Sequence, residues 1–253
     1  MDEQVLKGRT AIVTGSGQNI GKAIAKMLAA AGANVVVNGR SNRKIVDETV
    51  DEINNDGGSA IGIMADVSDH AAVNEMVAET RRRFGTVDIA VNNVSIRRKQ
   101  PFLEITPQDW DDTLRINLSS CYYLSQAVIP HMMENRWGRL IMISGIDGWA
   151  AHIPTRAHNI VAKAGMHALA KSLALEFGAF GITSNTVSPG PIDTTRDWTQ
   201  YPEGWAEMRK KQVPSGQLGS VDDIAQACLY LAGPNSGFTT GQVIHVNGGL
   251  YMY

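Results

Sequence analysis

Short apolar segments alternate with longer segments of helical periodicity along the whole of this 253-residue chain. Strands are predicted at seven places: TAIVT, NVVVN, SAIGIMA, DIAVNN, RLIMIS, ITSNTVSP and QVIHVN. Helices are predicted between them, at residues 19–32, 42–56, 70–85, 109–134, 157–178 and 220–233. This repetition, with strands that are apolar on both faces, predicts a parallel sheet covered by helices on each side. We therefore expect a doubly wound α/β fold with seven buried strands, and ligands at their carboxyl ends.

We expect residues 1–253 to form a single domain, because the length suits one large α/β domain and no linker or repeat divides the chain. One segment, at about residues 190–214, interrupts the alternation and carries Trp198, Tyr201, Trp205 and Met208. We interpret this segment as a mobile lid over a substrate pocket. A pair of surface helices is the alternative.

Composition and charge exclude several functional classes. The formal net charge of −2 gives no large basic field, so nucleic acid is not expected as a partner. No apolar run approaches the roughly 20 residues that span a bilayer, so no membrane association is expected. Cys121 and Cys228 lie in apolar, helix-like contexts, where reduced thiols are expected. These features predict a cytoplasmic protein that needs neither a metal nor a disulfide to fold.

The segment TGSGQNIG closes the first predicted strand and opens the first predicted helix. A glycine-rich turn at this place lets backbone N–H groups and the positive end of the helix meet a pyrophosphate. The candidate contacts are Gly15, Gln18, Asn19, Ile20 and Gly21. Asn19 stands where a glycine is expected, but asparagine tolerates the left-handed backbone region. The turn therefore predicts a dinucleotide site, with a purely structural turn as the alternative.

The end of the second predicted strand indicates which dinucleotide is bound. An acid about 20 residues after the glycines would bind the ribose 2′-hydroxyl of NAD. The chain has Gly39 at that position, followed by Arg40, with Arg43 and Lys44 near enough to assist. Because a guanidinium pairs with a 2′-phosphate and no carboxylate repels it, NADP(H) is favoured over NAD(H). An ordinary surface arginine is the alternative interpretation of Arg40.

The next two predicted strands supply further candidate contacts. Asp66 and Val67, in ADVSD, end the third strand and are expected to bracket the adenine. Asn92 and Asn93, in VNNVS, end the fourth strand, and Asn93 is predicted to contact the cofactor.

Together these residues resemble the short-chain dehydrogenase/reductase family, from GRTAIVTG to HVNGGLYM. Within the family the chain is most similar to β-ketoacyl-acyl-carrier-protein reductases, through RINLSS, QVPSGQLGS and GQVIHVNGGLYM. The resemblance implies a Rossmann fold with strand order 3-2-1-4-5-6-7 and a homotetramer formed through the long helices on either side of the fifth strand. It also implies hydride transfer between a nicotinamide and a carbonyl or alcohol.

The family's catalytic residues are an asparagine, a serine, a tyrosine and a lysine, and the resemblance carries over only two of them. Asn117, in RINLSS, matches the asparagine that positions a water, and Lys163 matches the lysine that binds the nicotinamide ribose. The tyrosine position, four residues before Lys163, holds Asn159. In MISGIDG, Gly145 occupies the serine position and Ser144 comes one residue early.

The substituted tyrosine leaves the proton donor open, because asparagine can donate a hydrogen bond but has no accessible pKa. Our preferred interpretation is that Lys163 donates the proton, with its ammonium oriented by Asn159 through their i,i+4 spacing. His158 adjoins Asn159, although a surface or interface histidine is the favoured interpretation. His152 and Asp147, in the loop after the fifth strand, are further candidates.

The substrate end of the sequence gives weaker signals. VSPGPIDTT resembles the family segment that binds the nicotinamide carboxamide, which implies that Ile192 and Thr194 contact the cofactor. Arg97 and Arg98 follow the fourth strand, where they could bind a carboxylate or phosphate or belong to a solvated loop. The segment MMENRWGR lacks the basic rim expected for a carrier-protein partner, so a small free substrate is favoured.

Three functions remain open at this stage. The first is an NADP(H)-dependent oxidoreductase, acting on a carbonyl or alcohol with an atypical proton donor. The second is a cofactor-binding homologue without turnover, such as a regulatory subunit of an active enzyme. The third is a lyase or hydrolase that uses His152, Asp147 or Lys163 on the same fold.

Overall fold

The computed structural model describes residues 4–151, 153–195 and 204–252. Seven parallel strands form one sheet in the order β3-β2-β1-β4-β5-β6-β7, which confirms the predicted fold class and strand order. The strands are β1 (Thr10–Val13), β2 (Asn34–Gly39), β3 (Ser59–Met64), β4 (Ile89–Asn92), β5 (Gly138–Ile143), β6 (Ile182–Pro189) and β7 (Val243–Val246).

Helices lie between the strands and cover both faces of the sheet. They are α1 (Asn19–Ala30), α2 (Arg43–Asn55), α3 (His70–Phe84), α4 (Pro107–Leu114), α5 (Ser120–Glu134), α6 (Ala157–Phe177), α7 (Trp205–Gln212) and α8 (Val221–Ala232). Asp69 caps α3 and Ser220 caps α8 through their side-chain oxygens, as is typical of helix N-termini.

The sheet separates two apolar cores because successive strand residues face opposite sides. Ala11 and Val13 of β1 pack with the buried faces of α1, α2 and α8. Ile12, which lies between them, packs on the other side with α3 and α5. The prediction of seven buried strands is wrong at the edges, where β3 and β7 are mostly half-buried because each has a neighbouring strand on one side only.

The helix predicted at residues 109–134 is interrupted in the structure. Thr106 caps α4, and a π-helical turn, Arg115–Ser119, separates α4 from α5. Such single π-turns occur frequently at functional sites. This one contains Asn117, whose side chain is fully buried, so the interruption places a candidate catalytic residue inside the protein.

The cysteines agree with the sequence, the described residues include no membrane-spanning helix, and the candidate lid is only partly described. Cys121 and Cys228 are free and buried, as predicted, and burial raises the pKa of the Cys121 thiol to about 11. Within the described ranges, no helix is both long and apolar enough to cross a membrane. The structure describes the candidate lid at residues 190–195 and 204–214, and Trp198 and Tyr201 lie outside the described residues. His152 also lies outside them.

Candidate active site

The turn between β1 and α1 has the conformation that its sequence predicts. Asn19 has φ 51°, in the left-handed region, which confirms that it can replace a glycine there. Its Oδ1 accepts hydrogen bonds from the backbone N (2.9 Å) and Oγ1 (2.8 Å) of Thr195. Asn19 therefore joins the glycine-rich turn to the chain that follows β6, a contact that glycine could not make.

Asn93 shapes the same turn from the end of β4. Its Nδ2 donates to the carbonyl oxygens of Thr14 (3.0 Å) and Gly15 (3.2 Å). A Cβ at Gly21 would lie 2.4 Å from the Gly15 oxygen and 2.6 Å from Asn93 Nδ2, so no larger residue fits. The amide of Asn93 thus holds the turn in place, and its contact with a cofactor stays a prediction.

The start of α1 fits a pyrophosphate. The first N–H groups of a helix have no intrahelical partner. Gln18, the N-cap residue, is extended and makes no side-chain hydrogen bond to those groups. The N–H groups at Ile20 and Gly21 therefore remain available to an anion at the positive end of the helix.

Arg40 follows the end of β2 and lies beside Asp66. Its Nη1 is 3.7 Å from Asp66 Oδ2, and its side chain is 65% exposed. Burial alone would raise the pKa of the Asp66 carboxyl, but hydrogen bonds from Ser68 and the charge of Arg40 together lower it. A Cβ at Gly39 would lie 2.5 Å from Val46, so packing against α2 disfavours an acid at that position.

The assistance predicted from Arg43 and Lys44 is not supported. Arg43 Nε is 2.8 Å from Asp47 Oδ1, and Lys44 Nζ is 3.7 Å from Glu48 Oε1. Each cation is paired one turn along its own helix, because the i,i+4 spacing brings opposite charges together. Val67 is 5% exposed and packs in the core with α3, and its contact with adenine stays a prediction.

Asn117 and Asn159 form a buried pair of amides. Asn117 Oδ1 accepts from the N–H of Ile96 (2.8 Å), and its Nδ2 donates to the Ile96 oxygen (2.9 Å) and to Asn159 Oδ1 (2.9 Å). The backbone of Ile96 thus fixes the orientation of the Asn117 amide. Because Asn117 Nδ2 donates toward Asn159, the Asn159 side chain must present its Oδ1 as the acceptor. Asn159 Nδ2 is buried and has no hydrogen-bond partner among the described residues, so the pair retains one donor for another group.

Lys163 is buried on α6, with 3% of its surface exposed. Its Nζ donates to the Ile143 oxygen at the end of β5 (2.9 Å). Burial, reinforced by the charge of Arg97, lowers the pKa of Lys163 from 10.5 to about 7. At neutral pH this amine can therefore either give or accept a proton.

The predicted pairing of Asn159 with Lys163 is wrong. The two residues share a face of α6, but no hydrogen bond joins them in the described part of the chain. Asn159 Oδ1 is occupied by Asn117, and the Ile143 carbonyl binds the ammonium instead. A backbone carbonyl, which sequence spacing does not reveal, orients the lysine.

The interpretation of His158 as a satisfied surface or interface histidine is also wrong. The side chain is fully buried, and neither ring nitrogen has a hydrogen-bond partner among the described residues. Burial lowers the pKa of His158, and the nearby charges of Arg98 and Asp109 act on it in opposite directions. The ring is therefore mostly neutral at pH 7, which makes it a poor source of protons there.

The end of β5 offers no catalytic hydroxyl at positions 144 and 145. Ser144 Oγ bonds to His167 Nε2 (2.8 Å) and donates to the Val187 oxygen (3.3 Å), and only 2% of the residue is exposed. Burial is the main cause that lowers the pKa of His167 to about 4, so this histidine stays neutral. Gly145 has φ 154° and ψ 170°, a conformation available to essentially glycine alone.

Two arginines that follow β4 have different surroundings. Arg98 forms an ion pair with Asp109 of α4, whereas the charge of Arg97 acts on Lys163. At the start of α6, Arg156 Nη1 lies 3.2 Å from Asp147 Oδ2. Arg156 was not among the predicted site residues, although its i,i+3 and i,i+7 spacing from Asn159 and Lys163 could have indicated it.

The segment after β6 is only partly placed against the site. Ile192 is 4% exposed and forms an isolated β-bridge with Gly219. Thr194 is half-buried and, with Asn19, lines a groove of about 900 Å³ beside α1. Contacts of Ile192 and Thr194 with a cofactor stay predictions.

The strand order, the glycine-rich turn and the buried Asn117 and Lys163 are features of the Rossmann-type dehydrogenase fold. The chain belongs to the short-chain dehydrogenase/reductase family. A family model described as "Enoyl-(Acyl carrier protein) reductase" matches residues 15–251.

Known proteins resemble the chain over nearly its whole length. It is 39% identical to (2S)-[(R)-hydroxy(phenyl)methyl]succinyl-CoA dehydrogenase subunit BbsD of Thauera aromatica, over 98% of each chain. It is 37% identical to 3-oxoacyl-(acyl-carrier-protein) reductase FabG of Escherichia coli (strain K12), over 97% of this chain and 98% of that protein. The crystal structure of a gluconate 5-dehydrogenase from Burkholderia cenocepacia J2315, in complex with NADP and tartrate, superimposes with a TM-score of 0.91 at 33% identity, covering 98% of this chain and 97% of that one.

Proposed function

We propose that the protein is an NADP(H)-dependent oxidoreductase that interconverts a carbonyl and an alcohol on a small substrate, with Lys163 as the proton donor. The observation that carries this proposal is the buried Lys163, whose pKa of about 7 suits proton transfer at neutral pH. Homologues with the same fold are dehydrogenases and reductases, which supports redox chemistry for this chain.

In this mechanism the cofactor, when bound, supplies the hydride. Asn159 Nδ2 donates a hydrogen bond to the substrate oxygen, and Asn117 holds that amide in place through Asn159 Oδ1. Lys163 gives its proton to the developing alkoxide, directly or through a water, while the Ile143 carbonyl orients the ammonium. Oxidation of the alcohol uses the same residues in reverse, with neutral Lys163 accepting the proton.

Several features support a dinucleotide cofactor, and NADP(H) in particular. The positive end of α1 and the turn at Gly15 would hold the pyrophosphate, and Lys163 the nicotinamide ribose. Arg40 would pair with the 2′-phosphate, and Gly39 presents no competing carboxylate. The gluconate 5-dehydrogenase was crystallised with NADP, which agrees with this assignment.

Assembly and substrate size extend the proposal. A homotetramer formed through α5 and α6 would cover Tyr122 and Val161, which are 47% and 44% exposed. A small free substrate is favoured over an acyl carrier because the end of α5 is not basic, with Glu134 lying 3.3 Å from His131. The cytoplasmic location and the single domain with a lid at about residues 190–214 stay predictions.

Isotope transfer tests the redox proposal. NADPH deuterated at C4 of the nicotinamide should transfer its label to a carbonyl in a panel of oxo acids, their esters and simple ketones. Mass spectrometry of the alcohol products would detect the transfer. Failure to transfer deuterium to any of them, with NADPH bound, would contradict the proposal. Conversion of a substrate without any cofactor would instead indicate a lyase or hydrolase.

Restoring a tyrosine provides a second test. Asn159→Tyr should raise the reduction of 3-oxoacyl substrates by about 10-fold or more, because it supplies a second general acid near Lys163. Adding Gly145→Ser should not improve on this, since the φ of 154° at Gly145 strains any other residue. Steady-state kinetics of both variants would decide. A large further gain from Gly145→Ser would show that the loop adapts.

A non-catalytic subunit is the second candidate. The BbsD relative is named as a subunit of a dehydrogenase, and positions 145 and 159 carry neither a hydroxyl nor an acid here. Isolation from the native source as a stable complex with an active homologue would favour this role. A homo-oligomer that turns over by itself would contradict it.

A further inference from the structure

An ion pair lies at the start of α6, where the charge of its acid acts on Lys163. Arg156, the N-cap residue of α6, pairs with Asp147 at 3.2 Å, and both side chains are 13% exposed. The Nε of Arg156 is buried and has no hydrogen-bond partner among the described residues. A guanidinium N–H without a partner is costly, so this donor indicates a missing acceptor.

Other arginines place positive charge around the same acid. Arg97 comes from the loop after β4. Burial is the larger cause of the lowered pKa of Lys163, and the charge of Arg97 lowers it further. Arg209 comes from α7. Burial is the main cause that lowers the pKa of Arg209, the charge of Arg156 lowers it further, and the charge of Asp147 raises it. Three arginines from separate elements therefore act, together with Lys163, on the region around Asp147.

The spacing on α6 relates this charge to the reacting oxygen. Arg156, the N-cap residue, precedes Asn159 by three residues, which corresponds to about 4.5 Å along the axis of α6 at 1.5 Å per residue. A carboxylate one or two carbons from a substrate oxygen held by Asn159 would match this separation. A planar guanidinium matches a planar carboxylate through paired N–H donors.

We propose that Arg156 binds a carboxylate of the substrate, one or two carbons from the reacting carbonyl, and that Asp147 positions the guanidinium for this contact. The inference rests on the proposed function and narrows its substrate class to oxo acids and hydroxy acids. A singly charged carboxylate suits the site better than a phosphate dianion, because Asp147 is already present. Arg97 and Arg209 supply attraction at the rim without direct contact.

Binding of malonate measures this contact without any turnover. By calorimetry, with and without NADP⁺, the protein should bind malonate, while dimethyl malonate should not bind and inorganic phosphate should bind more weakly. Arg156→Gln should weaken malonate binding by 10-fold or more, and Arg156→Lys should weaken it less, since the charge remains. Arg98→Gln removes an equal charge that is paired with Asp109, and should change little.

The outcomes separate this inference from the proposed function. Equal binding of malonate and its dimethyl ester, or no malonate binding by the wild-type protein, would overturn the carboxylate site whether or not any variant folds. Unchanged binding in folded Arg156→Gln would overturn the role of Arg156. Malonate binding without deuterium transfer to any carbonyl would leave the anion site standing and remove the redox function.

Discussion

Replacing Lys163 with methionine should lower the rate of carbonyl reduction by about 10²- to 10⁴-fold, the usual contribution of general acid–base catalysis. The substitution removes the buried amine whose pKa is about 7 and preserves most of the side-chain volume. Single-turnover reduction with bound NADPH would measure the effect on the chemical step. Retention of full activity would eliminate Lys163 as the proton donor.

The stability of this variant distinguishes a catalytic loss from unfolding. Burial lowers the pKa of Lys163 from 10.5, so the folded state disfavours its charge. The cost is complete below pH about 7 and disappears as the pH rises toward 10.5, because the unfolded state then loses the proton too. Lys163→Met should therefore have a Tm at pH 6 equal to or above that of the wild type. Lys171→Met, on an exposed part of α6, should keep both activity and Tm.

The same pKa predicts opposite pH profiles for the two directions of the reaction. Reduction requires protonated Lys163, so its rate should fall as the pH rises through about 7. Oxidation requires the neutral amine, so its rate should fall as the pH drops through the same value. Substitution of Lys163 should abolish both inflections, whereas replacement of the mostly neutral His158 should leave them in place.

The fold was predictable because each strand and helix has a strong local pattern. All seven predicted strands occur, and the resemblance to a known family supplied their order. The π-turn around Asn117 was not predictable, since residues 109–134 have continuous helical periodicity. The left-handed conformation of Asn19 was predictable, because few residue types can replace glycine in such a turn.

The candidate site was predictable by position but not by contact. Helical spacing placed Asn159 and Lys163 on one face correctly, yet their partners are Asn117 and the Ile143 carbonyl, which come from distant parts of the chain. His158 was misjudged because a residue about 100° around the helix from the site can face a neighbouring helix instead of solvent. Tertiary packing, which periodicity does not encode, made these differences.

Replacing Arg40 with alanine should weaken NADPH binding by about 10- to 100-fold, because charge-assisted hydrogen bonds contribute roughly 1.5–3 kcal/mol. NADH, which lacks the 2′-phosphate, should bind the variant about as well as it binds the wild type or better. Asp66 sits 3.7 Å from the guanidinium and would then face the ribose with its charge unopposed by Arg40. Fluorescence titration with each dinucleotide measures both affinities.

Arg43→Ala is the matched control, because it removes the same side chain from a nearby position where the guanidinium is paired with Asp47 at the start of α2. It should change the ratio of NADPH to NADH affinity by less than about 3-fold, as expected for a screened surface charge. An equal effect of the two substitutions would attribute the preference to general electrostatics. If Arg40→Ala changes neither affinity, Arg40 is an ordinary surface residue, and the absence of an acid at Gly39 permits either cofactor.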